Sequence, residues 1–242
     1  MKPIELSIII PAFNEEKSLP QLLEKLINLE YQESTTWEII IVDDASTDST
    51  AKIARKYLKS NIRFHQLEFN SGKGAAVQAG MRLAVGSHYI IQDADLEYFP
   101  NDIPFLYLCA KKNPGATIYG SRVLGAKQLQ GFRGMILLWP KQALSSWLFN
   151  FFLTLWLFCI QKVWITDTLT GYKLYPSDIF ASWFPKTLGF ETDHEITSHI
   201  LNENRNILEV PIKYEPRSKI EGKKIRAIDG YKALRAFWVF RK

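Results

Sequence analysis

The sequence predicts an α/β domain with a mostly parallel central sheet and helices on both faces. Two observations carry this: short isoleucine-rich runs bounded by polar clusters, and stretches of helical periodicity between consecutive runs. Leu6 to Ile10 and Trp37 to Val42 are apolar without alternation, as expected of strands covered on both faces. Between them Leu19, Leu22, Leu23, Leu26 and Ile27 recur at helical spacing. Ser46 and Asp48 offer N-caps to a second helix carrying Ile53, Tyr57 and Leu58. A strand near Ile62 to Leu67, a helix from about Gly74 to Val85 and a strand at His88 to Gln92 continue the alternation. Ligands of such sheets sit beyond the carboxyl ends of the strands, so the chemistry is expected there.

With 242 residues, 47% hydrophobic and 23% charged, the chain can bury a core of ordinary size, which excludes disorder. Cys109 and Cys159 lie far apart with no C-x-x-C, so a disulfide framework and a cysteine zinc site are both excluded. Met1-Lys2-Pro3-Ile4-Glu5 places an acid where a signal peptide needs an apolar stretch, and a cytoplasmic location is expected. The net charge of +5 hides an asymmetry, because Lys213 to Lys242 holds ten Lys or Arg against three acids while the rest is slightly acidic. No repeat or linker divides the chain, which reads as one domain over 1–228 followed by a basic amphipathic helix over 229–242.

Four strand ends carry polar clusters: Pro11-Ala12-Phe13-Asn14-Glu15, Asp43-Asp44-Ala45-Ser46, Asn70-Ser71-Gly72-Lys73-Gly74 and Gln92-Asp93-Ala94-Asp95-Leu96-Glu97. In an extended segment Asp93 and Asp95 project to one side while Ala94 faces away, a pair suited to Mg²⁺ or Mn²⁺ with substrate phosphates completing the shell. Asp43 and Asp44 can accept hydrogen bonds from a nucleobase N–H, or serve as acids at a helix N-terminus. The Asn70 to Gly74 run lacks the P-loop spacing and reads as a tight turn into a helix. His194 and His199 are five apart, which is not the H-E-x-x-H zinc pattern.

Taken in order, the runs I-I-I-P-A-F-N-E-E, I-V-D-D-A-S-T-D-S-T, N-S-G-K-G-A-A, Q-D-A-D-L-E, Y-G-S-R, T-D-T-L-T-G-Y-K, G-F-E-T-D-H-E-I and E-V-P-I-K-Y-E-P-R resemble a family 2 glycosyltransferase. More closely, they are similar to its dolichyl-phosphate mannose and glucose synthase-like branch, over about Leu6 to Lys224. The resemblance implies a GT-A fold, a UDP- or GDP-linked sugar donor, Mg²⁺ or Mn²⁺, inversion at the anomeric carbon and a polyisoprenyl phosphate acceptor such as dolichyl or undecaprenyl phosphate. By position, Pro11, Asn14, Glu15 and Asp44 would frame the nucleoside, and Lys73 would join them. Asp93, Ala94 and Asp95 would hold nucleotide and metal, with Glu97 as a further metal ligand. Arg122 would neutralise diphosphate, the alternative being a surface arginine beside a strand end. Asp167, Thr170 and Gly171 would line the sugar and acceptor side, and Arg217 and Lys223 would meet the acceptor phosphate. Glu191, Asp193 and Glu195 offer carboxylates as a base, so Asp193 joins Asp95, Arg122 and Arg217 as a catalytic candidate. The run Glu221-Gly222-Lys223-Lys224 departs from the Gly-Glu-Ser-Lys common in mannose synthases, leaving the sugar open.

Ile136 to Ile165 is long and apolar, and residues 142–161 carry no charge. A single bilayer crossing there would separate Asp93 from Asp167, so packing on the domain or shallow interfacial insertion is expected, with Trp139, Trp147, Trp156 and Trp164 suited to an interface. Tyr231, Leu234, Phe237, Trp238 and Arg241 are expected on one face of the last helix, directed either to an anionic membrane or back onto the domain. No nucleic-acid motif accompanies the basic charge. The reading is therefore a metal-dependent hexosyltransferase held peripherally at the cytoplasmic face of a membrane, with a membrane-protein partner allowed. The alternatives are transfer to another sugar or lipid, and a noncatalytic nucleotide-binding membrane module.

Overall fold

The computed structural model describes residues 2–29, 35–128, 144–216 and 227–241. The chain begins with β1 (Leu6–Ala12), α1 (Leu19–Ile27), β2 (Trp37–Asp43), α2 (Thr50–Lys56), β3 (Ile62–Gln66), α3 (Lys73–Leu83) and β4 (His88–Ile91). It continues with α4 (Ile103–Lys112), β5 (Thr117–Ser121), a helical stretch over 122–128, α5 (Leu144–Gln161), β6 (Lys173–Pro176), α6 (Thr192–Asn202), β7 (Ile207–Pro211) and α7 (Ala227–Val239).

Seven strands form one sheet in the order β3-β2-β1-β4-β6-β5-β7. The pairs β3/β2, β2/β1, β1/β4 and β5/β7 are parallel, and β6 runs antiparallel to both neighbours. The chain leaves β1 toward β2 and β3, then returns to place β4 on the other side of β1. That reversal opens a crevice between the loops following β1 and β4, where open α/β sheets bind ligands.

Every residue of β1 is buried because the sheet is covered on both faces. Leu6, Ile8, Ile10 and Ala12 enter the layer formed with α1 and α4, whereas Ile9 enters the opposite layer with Val77 and Met81 of α3 and Ile196 of α6. Leu153 and Leu157 of α5 and Ala233 and Phe237 of α7 belong to this second layer.

Several local expectations shift. The N-cap of α2 is Ser49, not Ser46 or Asp48, and Ser49 makes no side-chain capping bond. Ser46 Oγ instead accepts the Asn14 amide at 2.9 Å, and Asp48 accepts the amides of Glu16 at 3.2 Å and Thr50 at 2.9 Å. These two residues stitch the loop after β1 to the loop after β2. The helix α2 ends at Lys56, leaving Leu58 exposed. The expected single aromatic face of α7 is divided: Phe237 is buried against the His194 ring, with centroids 5.0 Å apart, whereas Tyr231 and Trp238 are exposed. Among the described residues no helix is long and apolar enough to cross a membrane. Trp139 lies outside the described residues, as does the Trp147 side chain.

Candidate active site

Three residues other than glycine adopt left-handed backbone at the ends of neighbouring strands: Asn14 (φ 54), Ala45 (φ 55) and Leu96 (φ 65). Such backbone is sparsely populated for side chains with a Cβ, and its clustering marks a functional region. Hydrogen bonds hold the loops around the first two of these residues. Asn14 Oδ1 accepts the Thr47 amide at 2.9 Å, and Asp43 Oδ2 accepts the Ser46 amide at 3.2 Å and Gln66 Nε2 at 3.0 Å. Glu15 accepts the Ser18 hydroxyl, and its own amide donates to Thr50 Oγ1 at 2.8 Å. Pro11 is buried in β1 opposite Val42.

Asp44, expected to frame a nucleoside, accepts the amides of Ser71 at 2.8 Å and Gly72 at 2.9 Å through its two oxygens. It therefore shapes the Asn70 to Lys73 loop. Burial raises its carboxyl above the usual range, against the lowering effect of those two amides. The loop delivers Lys73 to the start of α3, where Nζ lies 2.6 Å from Asp93 Oδ1 and 5.7 Å from the Phe190 ring centroid. Burial opposes the charge on Lys73, but the carboxylates of Asp93 and Asp193 outweigh it and hold the ammonium above its ordinary value. Lys73 thus pairs directly with Asp93, and Asp193 adds to the negative field around it.

β4 ends at Ile91 and the Asp93-Ala94-Asp95 segment turns instead of continuing extended, so strand alternation does not orient the two acids; Ala94 is buried within this turn. Asp95 Oδ1 accepts the Glu97 amide at 3.2 Å. Glu97, expected as a further metal ligand, accepts the Tyr214 hydroxyl through its carboxylate, and its carbonyl accepts the Glu215 amide at 3.0 Å. Among the described residues no three acidic, histidine or cysteine side chains are grouped to hold a metal. The oxygen-only pair Asp93 and Asp95 still fits a hard divalent cation whose remaining positions substrate phosphates and water fill.

A second ion pair closes the other side. Arg122 follows β5 and donates from its backbone amide at 3.0 Å, Nε at 2.7 Å and Nη2 at 2.6 Å to the Asp167 carboxylate. The Arg122 side chain is 15% exposed and that of Asp167 is 1% exposed, so Arg122 is no free surface arginine. Its guanidinium also lies 4.9 Å from the Tyr214 ring centroid. The Asp167 turn is held from beneath by Glu209 of β7, which accepts the amides of Thr166 at 2.8 Å and Asp167 at 3.1 Å. Thr170 is buried, and its Oγ1 accepts the Tyr172 amide at 3.2 Å. The Gly171 amide donates to Tyr98 Oη at 2.8 Å, and a Cβ at Gly171 would stand 2.8 Å from Asp93 Oδ2, so a larger residue there would push the Asp93 carboxylate aside. Burial pushes the Tyr98 hydroxyl up to about 12, keeping it neutral.

The three acids proposed as bases separate by environment. Glu195 is buried and accepts the amides of Lys186 at 2.9 Å and Thr187 at 2.8 Å, which makes it a tether for that segment. Glu191 lies 3.9 Å from Lys232 of α7. Asp193 bears on both Lys73 and Lys173; burial lowers the Lys173 ammonium below its ordinary value, and Asp193 offsets part of that. Arg217 and Lys223 lie outside the described residues. Sequence reasoning assigned no role to Tyr98, Lys173, Glu209 or Tyr214, although all but Tyr98 stand in the quoted T-G-Y-K and E-V-P-I-K-Y runs.

The model of the glycosyl transferase family 2 family matches residues 7–161. The chain is 32% identical over 238 residues to a dolichyl-phosphate beta-glucosyltransferase of Dictyostelium discoideum, covering 92% of this chain and 69% of that protein. It is 40% identical over 107 residues to a dodecaprenyl-phosphate galacturonate synthase of Rhizobium johnstonii, covering 43% of this chain and 32% of that one. It therefore spans about a third of the bacterial relative. Among solved structures, the glucosyl-3-phosphoglycerate synthase of Mycobacterium tuberculosis with Mn²⁺, uridine diphosphate and phosphoglyceric acid superposes with a TM-score of 0.68 at 17% identity. That superposition covers 98% of this chain and 77% of the other and shows a shared GT-A-like fold. The chain belongs to glycosyl transferase family 2, and its relatives lie in the branch of dolichyl- and polyprenyl-phosphate sugar transferases.

Proposed function

We propose that the chain moves a hexose from a nucleoside-diphosphate sugar to a polyisoprenyl phosphate, with inversion and with Mg²⁺ or Mn²⁺ as cofactor. The observation that carries this reading is the gathering of Asp93, Lys73 and the Arg122–Asp167 pair at the carboxyl ends of the strands. The names of the relatives favour glucose as the sugar and a lipid phosphate as acceptor.

In this reading Asp93 and Asp95 hold the divalent cation, which supplies charge neutralisation to the diphosphate leaving group. Lys73 and Arg122 stand where negative charge grows as the bond from the anomeric carbon to the diphosphate oxygen breaks. An oxygen of the acceptor phosphate forms the new bond from the opposite face. That oxygen is already ionised near neutral pH, so Asp193 orients the acceptor and balances Lys73 and Lys173 and is not required as a strong base. Pro11, Asn14 and Glu15 border the nucleoside pocket that Asp44 shapes through the Asn70 to Lys73 loop. Thr170 and Gly171 fix the floor beneath the sugar, and Arg217 and Lys223 take the acceptor phosphate.

The test uses the purified chain with labelled UDP-glucose or GDP-mannose, a polyisoprenyl phosphate and Mg²⁺ or Mn²⁺. Asp95→Asn removes one anionic ligand and is expected to lower transfer by about a hundredfold or more at unchanged thermal midpoint. Transfer by Asp95→Asn at the parent rate would defeat the metal assignment. Absence of product with every lipid phosphate would defeat the acceptor assignment.

A further inference from the structure

Leu174 of β6 enters the layer formed with α1 and α4, so strand alternation sends Lys173 and Tyr175 into the opposite layer, where Tyr175 shares a core with Ile91 and Ile196. Lys173 thus occupies a position that an apolar side chain would fill without electrostatic cost. It is 1% exposed, and its Nζ has no hydrogen-bond acceptor among the described residues. An ammonium taken from water without an acceptor is costly, and buried polar groups are ordinarily paired. The neighbouring cations obey that rule, since Lys73 holds Asp93 and Arg122 holds Asp167. Lys173 departs from it and calls for a reason.

The packing around the ammonium leads to Asp193. Lys173 is the register partner of Tyr119 on β5, and its Nζ stands 5.1 Å from the centroid of the Tyr119 ring. Thr197 Oγ1 donates to the Asp193 carbonyl at 2.7 Å, so the Tyr119 hydroxyl donates to Thr197 Oγ1, also at 2.7 Å. The first turn of α6, which carries Asp193, is thereby fastened to the ring that adjoins the ammonium.

The ionisable groups that act on Lys173 come from four places. Asp193 and the neutral His194 lie on α6, Lys73 at the start of α3, Asp167 in the turn before β6, and Arg122 after β5. Burial opposes the charge on Lys173 most. Asp193 is the strongest of the groups that favour it, and Asp167 adds to this against the repulsion of Lys73 and Arg122. The Asp167 carboxylate is already taken up by its three hydrogen bonds from Arg122, whereas Asp193 makes no ion-pair contact among the described residues. An ammonium without a carboxylate contact and a carboxylate without a cation contact therefore stand in each other's field.

We propose that Lys173 is a positioning residue, whose buried ammonium holds the Asp193 carboxylate at the start of α6 for its work on the acceptor. The fold places an ammonium where packing alone calls for an aliphatic chain, because a fixed charge in a dry surrounding acts through Asp193 without being reoriented during transfer. This rests on the hexose-transfer reading above, but one of its readouts needs no transfer.

The experiment uses the full chain with Lys173→Met, Asp193→Asn and the two substitutions together. Carbon-13 at the lysine Cε atoms reports the titration, and the Lys173 resonance is the one missing from Lys173→Met. It is expected to titrate below the ordinary lysine range in the parent and lower still in Asp193→Asn. Lys173→Met is expected to unfold at the parent's urea concentration or a higher one, because an unpaired buried charge is removed. Its transfer of hexose to a polyisoprenyl phosphate should nevertheless be slower by at least about tenfold in kcat at unchanged donor KM. In the Asp193→Asn background the same substitution should slow transfer no further, since the two residues act as a unit. A Lys173 midpoint equal in the parent and in Asp193→Asn would overturn the link, as would an undiminished effect of Lys173→Met in the Asp193→Asn background. A Lys173→Met protein that unfolds at lower urea has lost a structural residue and overturns the proposal, and so does one that transfers at the parent rate. A parent that transfers to no polyisoprenyl phosphate, while its Lys173 midpoint still follows Asp193, would instead defeat the proposed function and leave the coupling of the two residues standing.

Discussion

Asp167→Asn tests the most densely bonded feature of the site. The substitution keeps the side-chain shape but removes the negative charge that receives three hydrogen bonds from Arg122, at 3.0, 2.7 and 2.6 Å. Arg122 is only 15% exposed, so its guanidinium is left largely desolvated without a counter-charge. Breaking one partner of a buried pair costs about 3–5 kcal/mol, and the residual exposure of Arg122 places the expectation at the lower end, about 3 kcal/mol. For a chain of this size each kcal/mol lowers the thermal midpoint by about 2–4 °C, which gives a fall of roughly 6–12 °C. Circular dichroism melting of the purified proteins measures it. Arg122→Met/Asp167→Leu, which removes both charges, is expected to be more stable than Asp167→Asn although it cannot position a diphosphate. A midpoint for Asp167→Asn within about 2 °C of the parent would refute the argument, as would a double variant less stable than the single one.

Two further outcomes follow from neighbouring groups. Lys73→Met releases Asp93 from the ammonium 2.6 Å away, so Mn²⁺ binding in the absence of nucleotide should tighten by about tenfold while nucleotide affinity falls; titration calorimetry without donor tells the two apart, and unchanged Mn²⁺ affinity would mean that Lys73 does not compete for Asp93. His194 is held neutral by burial and by Lys173, down to about 3, whereas unfolded it titrates near 6.5. Its contribution to stability is therefore complete above about pH 6.5 and lost as pH falls toward 3, so the parent should lose about 2 kcal/mol from this residue between pH 7 and pH 5, a loss absent in His194→Phe when both are unfolded in urea at the two pH values.

The local alternation of the first half of the chain was legible because it is written in adjacent residues. Isoleucine runs with no polar alternation announce strands buried on both faces, and β1 and β2 are buried along nearly their whole length. The Asp93-Ala94-Asp95 run was legible in composition but not in shape: the strand ends at Ile91 and the run turns, with Ala94 buried and Leu96 in left-handed backbone. End residues were less legible: Ser46 and Asp48 have the composition of caps, but Ser46 bonds to the loop after β1, and Asp48 divides its oxygens between that loop, thirty-two residues earlier in the chain, and the Thr50 amide at the start of α2. Local composition records what a side chain can bond to, and the fold chooses among the candidates.

The sequence by itself determined the alternation of elements, the family and the set of chemistry-bearing residues, because these depend on residue type and on spacing along the chain. Only the tertiary structure decided how those residues are paired. Asp167 and Arg122 are forty-five residues apart in sequence, and their side chains form two direct hydrogen bonds through the β5 and β7 neighbourhood. The Glu97 carboxylate accepts the hydroxyl of Tyr214, 117 residues later, a pairing that sequence spacing does not show. Glu195 resembled a base, yet it anchors residues 186 and 187. Asn150 lay in an apolar run as a mere interruption, and the fold turned it inward to carry the Asp167 turn while leaving the aromatic residues beside it bare. The physical reason is the same in each case: a charge or amide removed from water must be satisfied by whichever partner the packed elements bring within about 3 Å, and sequence spacing does not encode that distance.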